Sequence, residues 1–460
     1  MTSNESAAGS SLKSRHLTMM GLGSTIGAGL FLGTGVGISA AGPSVIVAYA
    51  IAGLLAILVM QMLGEMGAVI PATGSFSVYA EHGIGRWAGF TQGWIYWLAT
   101  VAVLGTEITG SASIVAHWFD IEPWIPAAVF VAIFGGINLL GVRKFGELEY
   151  WFASIKVAVI VLFLFVGALL IVGLWPGHAA VGTSIVSSGG FFPNDLGGVA
   201  TALLSVAFTF GGIEVAAIAA AESEHPQRSL VSAVRSAFLR IAVFYLGSIL
   251  VIIFLVPWSS LGAAETAADS PFTRVMERAD LPYTTGFMEA VIVIALLSAF
   301  NAQIYVTSRM MHSLAARREA PRVFARADRR GVPVPAIVLS TVLSAAMALL
   351  NYLDTGWVLS FLLNSAGASL LIVWGFIAVS ELRLRPALEK RQMPIKMWAY
   401  PFLTWFVLAA LAAFALLMLT EPSSRTQLFS ALIMFAVLTV AGVINARARG
   451  IDPRSKLPLP

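Results

Sequence analysis

The sequence predicts an all-α polytopic membrane protein of twelve transmembrane helices, and three observations carry that prediction. Hydrophobic residues make up 58% of the 460 positions and charged residues only 11%, against roughly 25% charged in an ordinary soluble domain. Uncharged runs of the about 20 residues needed to cross a hydrocarbon core of about 30 Å recur along the whole chain. Two of these runs, five spans apart, are interrupted by clustered glycines.

In order, the expected spans are Leu17–Ile38, Pro43–Val69, Trp87–Ala116, Trp124–Leu140, Tyr150–Leu174, Leu196–Ala221, Val234–Val256, Tyr283–Met311, Pro335–Leu353, Trp357–Ser380, Tyr400–Leu419 and Gln427–Asn445. They make residues 17–445 one membrane domain, with tails at 1–16 and 446–460. The first residues, MTSNESAAGSSL, are polar, and no short apolar segment with a small-residue cleavage site precedes the first span. No removed signal peptide is expected. Cysteine is absent, which excludes disulfides, thiolate catalysis and cysteine metal sites.

Placing the N-terminus in the cytoplasm puts all 28 lysines and arginines except Arg274, Arg278, Arg425 and Lys156 toward the inner side. The positive-inside rule therefore sets both termini in the cytoplasm. The arginine-rich loop between Ala315 and Gly331 is read as a topology determinant and a contact for anionic lipid headgroups.

The first span contains GLGSTIGAGLF, Gly21–Phe31, where four glycines and two hydroxyl residues occupy a run otherwise fit to cross a membrane. Small residues four apart, such as Gly23 with Gly27 and Gly29 with Gly33, suit close helix packing. The sixth span carries a second anomaly, FTFGGIEV at Phe208–Val215, with Gly211 and Gly212 beside Glu214. Spans one to five (about 17–174) and six to ten (about 196–380) thus read as two halves of inverted topology, with helices at 400–445 added. Glycine-interrupted segments at matching places in two halves point to a binding site at mid-depth. A helix unwound in lipid exposes backbone groups at several kcal/mol each, so the break belongs where protein or a water-filled cavity receives it. Freed amides at the N-terminus of the second half-helix can hold a carboxylate, and carbonyls ending the first half can hold an ammonium. A zwitterion fits both ends.

Ionisable residues inside spans are candidates for function. Lys156, in the fifth span, either snorkels toward the inner face or finds carbonyl partners within the protein. Glu107, in the third, either contacts a substrate or proton path or is a protonated acid bonded to Thr106 or Thr109. Glu214 either couples protonation to gating or satisfies amides freed by the break. Asn301, Gln303, Asn364, Ser365 and Ser369 are weaker candidates for lining a path, helix-to-helix hydrogen bonding being the commoner use of such residues.

Several function classes find no support. The six histidines are scattered at ends and loops rather than paired at ligand spacing, which argues against a metal enzyme. No lysine follows a glycine as a phosphate-binding loop requires. Nucleic-acid binding has nothing beyond charge to support it. A channel or a sensor is the non-enzyme rival to a carrier, and the two broken helices favour the carrier.

Several long motifs make the chain recognisable: LKSRHLTMMGLGSTIGAGLFLGTG at Leu12–Gly35, MLGEM at Met62–Met66, GSFSVYAEHGIGRWAGFTQGWIYW at Gly74–Trp97, FGGIE and AAAESEHP between Phe210 and Pro226, and AFNAQIYVTSRM at Ala299–Met310. The sequence resembles the amino acid permeases of the amino acid, polyamine and organocation superfamily, in the bacterial branch holding aromatic amino acid and γ-aminobutyrate permeases. That resemblance implies the leucine-transporter fold, with helices one and six broken. It implies that Ser24, Thr25, Ile26, Gly27 and Gly29 line the carboxylate side of a substrate site, and that Phe210, Gly211 and Ile213 offer carbonyls and an aromatic wall. Ser24 and Thr25 depart from relatives that often have glycine and alanine there, and their hydroxyls bear on substrate choice. The resemblance further implies that Lys156 stands where sodium-driven relatives bind their ion, which argues for protons.

The expectation is a secondary active permease of the bacterial inner membrane and not an enzyme. It imports a neutral amino acid with a proton, aromatic side chains being preferred over γ-aminobutyrate, and Glu107 is at the substrate while Lys156 and Glu214 handle the proton. No metal and no cofactor other than the coupling proton is expected, and the partners are an amino acid and membrane lipid.

Overall fold

The apolar runs fold as helices, because a chain in hydrocarbon must satisfy its backbone groups internally. A computed structural model describes residues 12–459 except 13, 24, 25, 73, 184, 185, 187, 188, 224, 263, 265, 353–356 and 392. Among the described residues no strand forms beyond one isolated bridge between Leu12 and Ser223.

The helices, in chain order, begin with α1 (Ser14–Gly23), α2 (Ala28–Phe31), α3 (Thr34–Ala41), α4 (Val45–Val69), α5 (Ser75–Gly83), α6 (Arg86–Phe119), α7 (Trp124–Leu139) and α8 (Val142–Val172). There follow α9 (Asp195–Thr209), α10 (Glu214–Ala220), α11 (Pro226–Leu239), α12 (Leu246–Leu255), α13 (Pro271–Glu277) and α14 (Thr284–Ala316). The chain closes with α15 (Val334–Tyr352), α16 (Trp357–Leu388), α17 (Phe402–Met418) and α18 (Pro422–Ala448). A π-helical turn, Arg240–Tyr245, joins α11 to α12. Among the described residues, seven helical stretches are long and apolar enough to cross a membrane, and four shorter apolar helices accompany them.

Several helices outrun the spans read from hydropathy. The fifth begins at Val142 rather than Tyr150, and the tenth continues to Leu388 rather than Ser380. Hydropathy reports polarity, whereas a helix continues past its apolar stretch as long as its hydrogen bonds and packing allow. Arg240 shows the same limit: counted above with the inner-side charges, it is 1% exposed within the protein.

Packing separates an enclosed centre from a rim. α14 is buried along most of its length and packs against α6, α8 and α15. The outer helices turn large apolar side chains outward, among them Leu162 and Phe165 on α8 and Val437, Val440 and Ile444 on α18. Apolar faces of that extent on a soluble protein would be aggregation sites; here they suit lipid.

At the end where α1 starts, buried charges tie the helices together. Glu81, at 0% exposure, accepts hydrogen bonds from Arg86 and, at 3.3 Å, from Arg317 beyond α14. Glu65 accepts from Arg385 and, at 2.6 Å, from the Met397 amide. The C-terminal tail completes this end: the carbonyls of Ser455 and Pro453 accept from the amides of Arg86 and Trp87, groups a helix N-terminus otherwise leaves without partners.

Glu81 neutralises Arg86 and shares Arg317 with Glu319, which lies 3.1 Å from that guanidinium, so Glu81→Gln leaves Arg86 short of its counter-charge in a largely desolvated setting. The expected result is a loss of about 3–5 kcal/mol of stability, read as a lowered melting temperature of the detergent-solubilised protein.

Candidate functional site

The two anomalies of the sequence are two breaks in helical structure, and the fold brings them together. α1 ends at Gly23 and helix resumes at Ala28; α9 ends at Thr209 and helix resumes at Glu214. The second break turns through Gly212, whose φ of 95° lies where a side chain would be strained. A Cβ added at Gly29 would sit 3.3 Å from the Cα of Thr209, so bare backbone is what lets one break approach the other.

Carbonyls freed at the breaks find donors from other helices. The Lys156 ammonium donates to the Ile26 carbonyl at 3.1 Å, and the Ser270 hydroxyl donates to that of Phe31 at 2.6 Å. The Tyr245 hydroxyl reaches the Thr209 carbonyl at 3.4 Å. Each bond spares a polar group that would otherwise be stranded in an apolar interior.

Between the breaks lies a cavity of about 420 Å³, within the range of about 300–1,000 Å³ usual for small-molecule sites. One wall is Gly27 and Gly29 from the first break, with Thr209, Gly211, Gly212 and Glu214 from the second. Tyr96, Thr100 and Glu107 of α6 face them, and Ala299 and Gln303 of α14 close a side. Ser369, Leu370 and Val373 of α16 complete the enclosure. Two carboxylates and no lysine, arginine or histidine line it among the described residues. Such a lining offers carboxyl groups as acceptors and no fixed cation, a setting that suits a group able to donate hydrogen bonds.

The residues singled out from the sequence divide into three groups. Gly27, Gly29, Glu107, Gly211 and Glu214 line the cavity, as do Gln303 and Ser369. Glu107 approaches the first break, one of its oxygens lying 3.3 Å from where a Cβ on Gly27 would be. The Glu214 carboxylate accepts from its own amide and that of Gly212, so it serves the amides freed by the break. Ile26, Phe210 and Ile213 are buried but stand behind the lining. The Phe210 ring packs on Tyr245 at 4.8 Å between centroids and on Tyr49 at 6.1 Å, so it braces the break instead of forming the expected wall. Lys156 is fully buried and turned inward, with no snorkelling toward an end. Ser24 and Thr25, and the side chains of Asn364 and Ser365, lie outside the described residues.

Glu149 and Ser298 were not singled out from the sequence. The Ser298 hydroxyl accepts from Lys156 at 2.9 Å and donates to Glu149 at 2.7 Å, and both residues are 0% exposed. Glu149 escaped notice because it falls one residue before the expected span. Its spacing of seven from Lys156, which returns a helix to nearly the same face, was the available signal.

Comparison with known proteins gives the family context. Residues 16–450 match the profile of the family described as amino acid permease. The aromatic amino acid transport protein AroP of Corynebacterium glutamicum is 51% identical over 455 residues, covering 98% of each chain. The γ-aminobutyric acid permease of Bacillus subtilis is 42% identical over 96% of this chain and 95% of its own. The AroP protein of Escherichia coli K12 is 36% identical over 93% and 94%.

Bulk at the first break tests whether this cavity is the working site. A valine at Gly27 would press on Ala299, 3.2 Å from the added Cβ, and on Glu107. With overpacking at about 1–3 kcal/mol, Gly27→Val is expected to cut solute uptake by about ten- to a hundredfold, measured with radiolabel at matched membrane abundance.

Proposed function

The chain belongs to the amino acid permease family, and from that premise we propose that it imports a neutral amino acid, aromatic in preference to γ-aminobutyrate, together with a proton. The observation that carries this reading is the cavity enclosed between two helix breaks, with carboxylates but no basic side chain in its described lining. Backbone around Gly27 and Gly29 is assigned the substrate carboxylate, with Ser24 and Thr25 in the same stretch. The Gly211 carbonyl of the second break is assigned the ammonium, and Glu107, beside the first break, is assigned a further contact with the substrate. The substrate side chain is assigned to the apolar part of the lining, Ala99, Val103, Leu370 and Val373. An acidic side chain would meet two carboxylates there, which disfavours it.

Coupling is assigned to Lys156 and Glu214, because each engages backbone at one of the two breaks. A protonated Lys156 holds the Ile26 carbonyl and with it the first break. Losing the proton weakens that hold and frees the broken helices to rock against α6, α8 and α14. In this reading α1–α8 and α9–α16 form inverted halves in a bacterial inner membrane, with both termini cytoplasmic, and no cofactor is used beyond the proton. α17 and α18 are additions to that core.

Substrate preference follows the relatives: 51% identity to an aromatic amino acid transporter against 42% to a γ-aminobutyric acid permease. The second of these supports γ-aminobutyrate as the alternative substrate. In proteoliposomes, unlabelled phenylalanine is expected to compete with labelled phenylalanine well below the concentration at which γ-aminobutyrate does; if phenylalanine neither enters nor competes, the aromatic reading fails. A channel or sensor on the same fold would show no saturable counterflow. For Lys156→Gln the expected outcome is loss of accumulation driven by a pH gradient with part of the exchange retained, and unchanged accumulation would remove Lys156 from the mechanism.

A further inference from the structure

The proton assigned above to Lys156 needs somewhere to go, and the side of the lysine turned toward α14 offers a route. On α8 the buried positions Gly146, Glu149, Ala153 and Lys156 share one face. Across from them α14 presents Ser298 and Asn301, both at 0% exposure. The Lys156 ammonium donates to the Ser298 hydroxyl at 2.9 Å, and that hydroxyl donates to Glu149 Oε1 at 2.7 Å. The Asn301 amide approaches the second carboxylate oxygen at 3.4 Å and is itself held by Asn138 of α7 at 3.0 Å.

We propose that Glu149 is the proton partner of Lys156, reached through the Ser298 hydroxyl, and that it passes the coupled proton from the first helix break toward the end of the protein where α1 begins. The proposal deepens the proton-coupled reading above and rests on it. The transfer balances without any further reactant. An N–H bond of Lys156 breaks as an O–H bond forms on Ser298, while the original Ser298 O–H breaks and a new O–H forms on Glu149. The products are a neutral amine, an intact serine and a carboxylic acid. Two buried unit charges become none, so the exchange relieves the desolvation that each ion suffers in the interior. Water at the far end then takes the proton from Glu149.

The surroundings favour this route over the alternatives. Glu107 of α6 and Arg240 of the π-helical turn act on Lys156 through space, while Glu149 is joined to it through the Ser298 hydroxyl. On α1, Arg15 and His16 engage the neighbouring Glu147 at 2.7 and 2.8 Å. Leu12 and His16 also press against Gly146, one turn before Glu149 on the same face. The inner half of the first broken helix therefore covers the relay, and the rocking that empties the cavity would also admit water to Glu149.

The test compares two quantities in proteoliposomes holding labelled phenylalanine: accumulation driven by an imposed pH gradient, and counterflow without one. An entrapped pH-sensitive dye follows proton entry. In Ser298→Ala and Glu149→Gln, the ratio of accumulation to counterflow is expected to fall about tenfold or more, short of the about 10²–10⁴-fold that a positioned proton-transfer group contributes to a rate. Ser298→Thr, which restores a hydroxyl, is expected to return the ratio to within about twofold of the parent, well inside that effect. If the parent is coupled and Lys156→Gln uncouples it, but Ser298→Ala keeps the parental ratio, the relay is wrong and the lysine assignment survives. A Ser298→Ala protein that loses both activities in parallel also overturns the relay. Should the parent itself show no gradient-driven accumulation, the proton-coupled reading fails first and the relay with it. Were Glu149→Gln not to fold, the serine pair would decide alone.

Discussion

The hydrogen bond from the Lys156 ammonium to the Ile26 carbonyl is the constraint around which the centre of this protein is organised. A transmembrane helix is tolerable in lipid because it consumes its own donors and acceptors, and an interrupted one gives that up. A buried ammonium is equally intolerable alone, since desolvation costs several kcal/mol. Placed together, each defect answers part of the other's need. The arrangement ties α8 to the first break, so any change in the charge on Lys156 acts directly on the backbone of that break.

The second break is supported differently. Tyr245, the last residue of the π-helical turn, reaches the Thr209 carbonyl, and the stack of Phe210 on Tyr245 fixes that ring. Wider π-helical turns recur at functional positions because they displace side chains from the regular helical register. Here the turn begins at Arg240, whose charge lies within reach of both Glu214 and Lys156. The interior thus holds ionisable groups of both signs around the breaks, while the described cavity lining holds carboxyls and no basic side chain.

Farther along, the ends of the broken helices are clasped by a separate set of contacts. Arg309 donates to Glu222 at 2.7 Å while its guanidinium lies over the Tyr305 ring, and the Leu12 amide donates to the Glu222 carbonyl at 3.3 Å. Tyr305 in turn stacks on Phe145 of α8 at 4.3 Å. These contacts join the segment before α1, the end of α10, α14 and α8 on one side of the cavity. In the proposed cycle these contacts would part together, on the same helices that carry Lys156 and Glu149.

Residue order alone determined that the chain crosses a membrane many times, where two of its helices fail, and which charges lie inside: Lys156, Glu107 and Glu214 were all legible. The motifs from Leu12 to Gly35 and from Phe210 to Pro226 also carried the family likeness. Each is a local fact, since hydropathy, glycine clustering and a charge in an apolar run are visible within a few turns of helix. Tertiary structure decided the partners. Ser298 meets Lys156 across 142 positions of sequence and Ile26 meets it across 130, and no local pattern specifies which faces of α1, α8 and α14 will touch. The family likeness placed Phe210 in the wall, yet the turn after Thr209 sets its ring against Tyr245. Glu149 was set outside the membrane because polarity marks where an apolar run stops, while burial depends on what the rest of the fold packs over it.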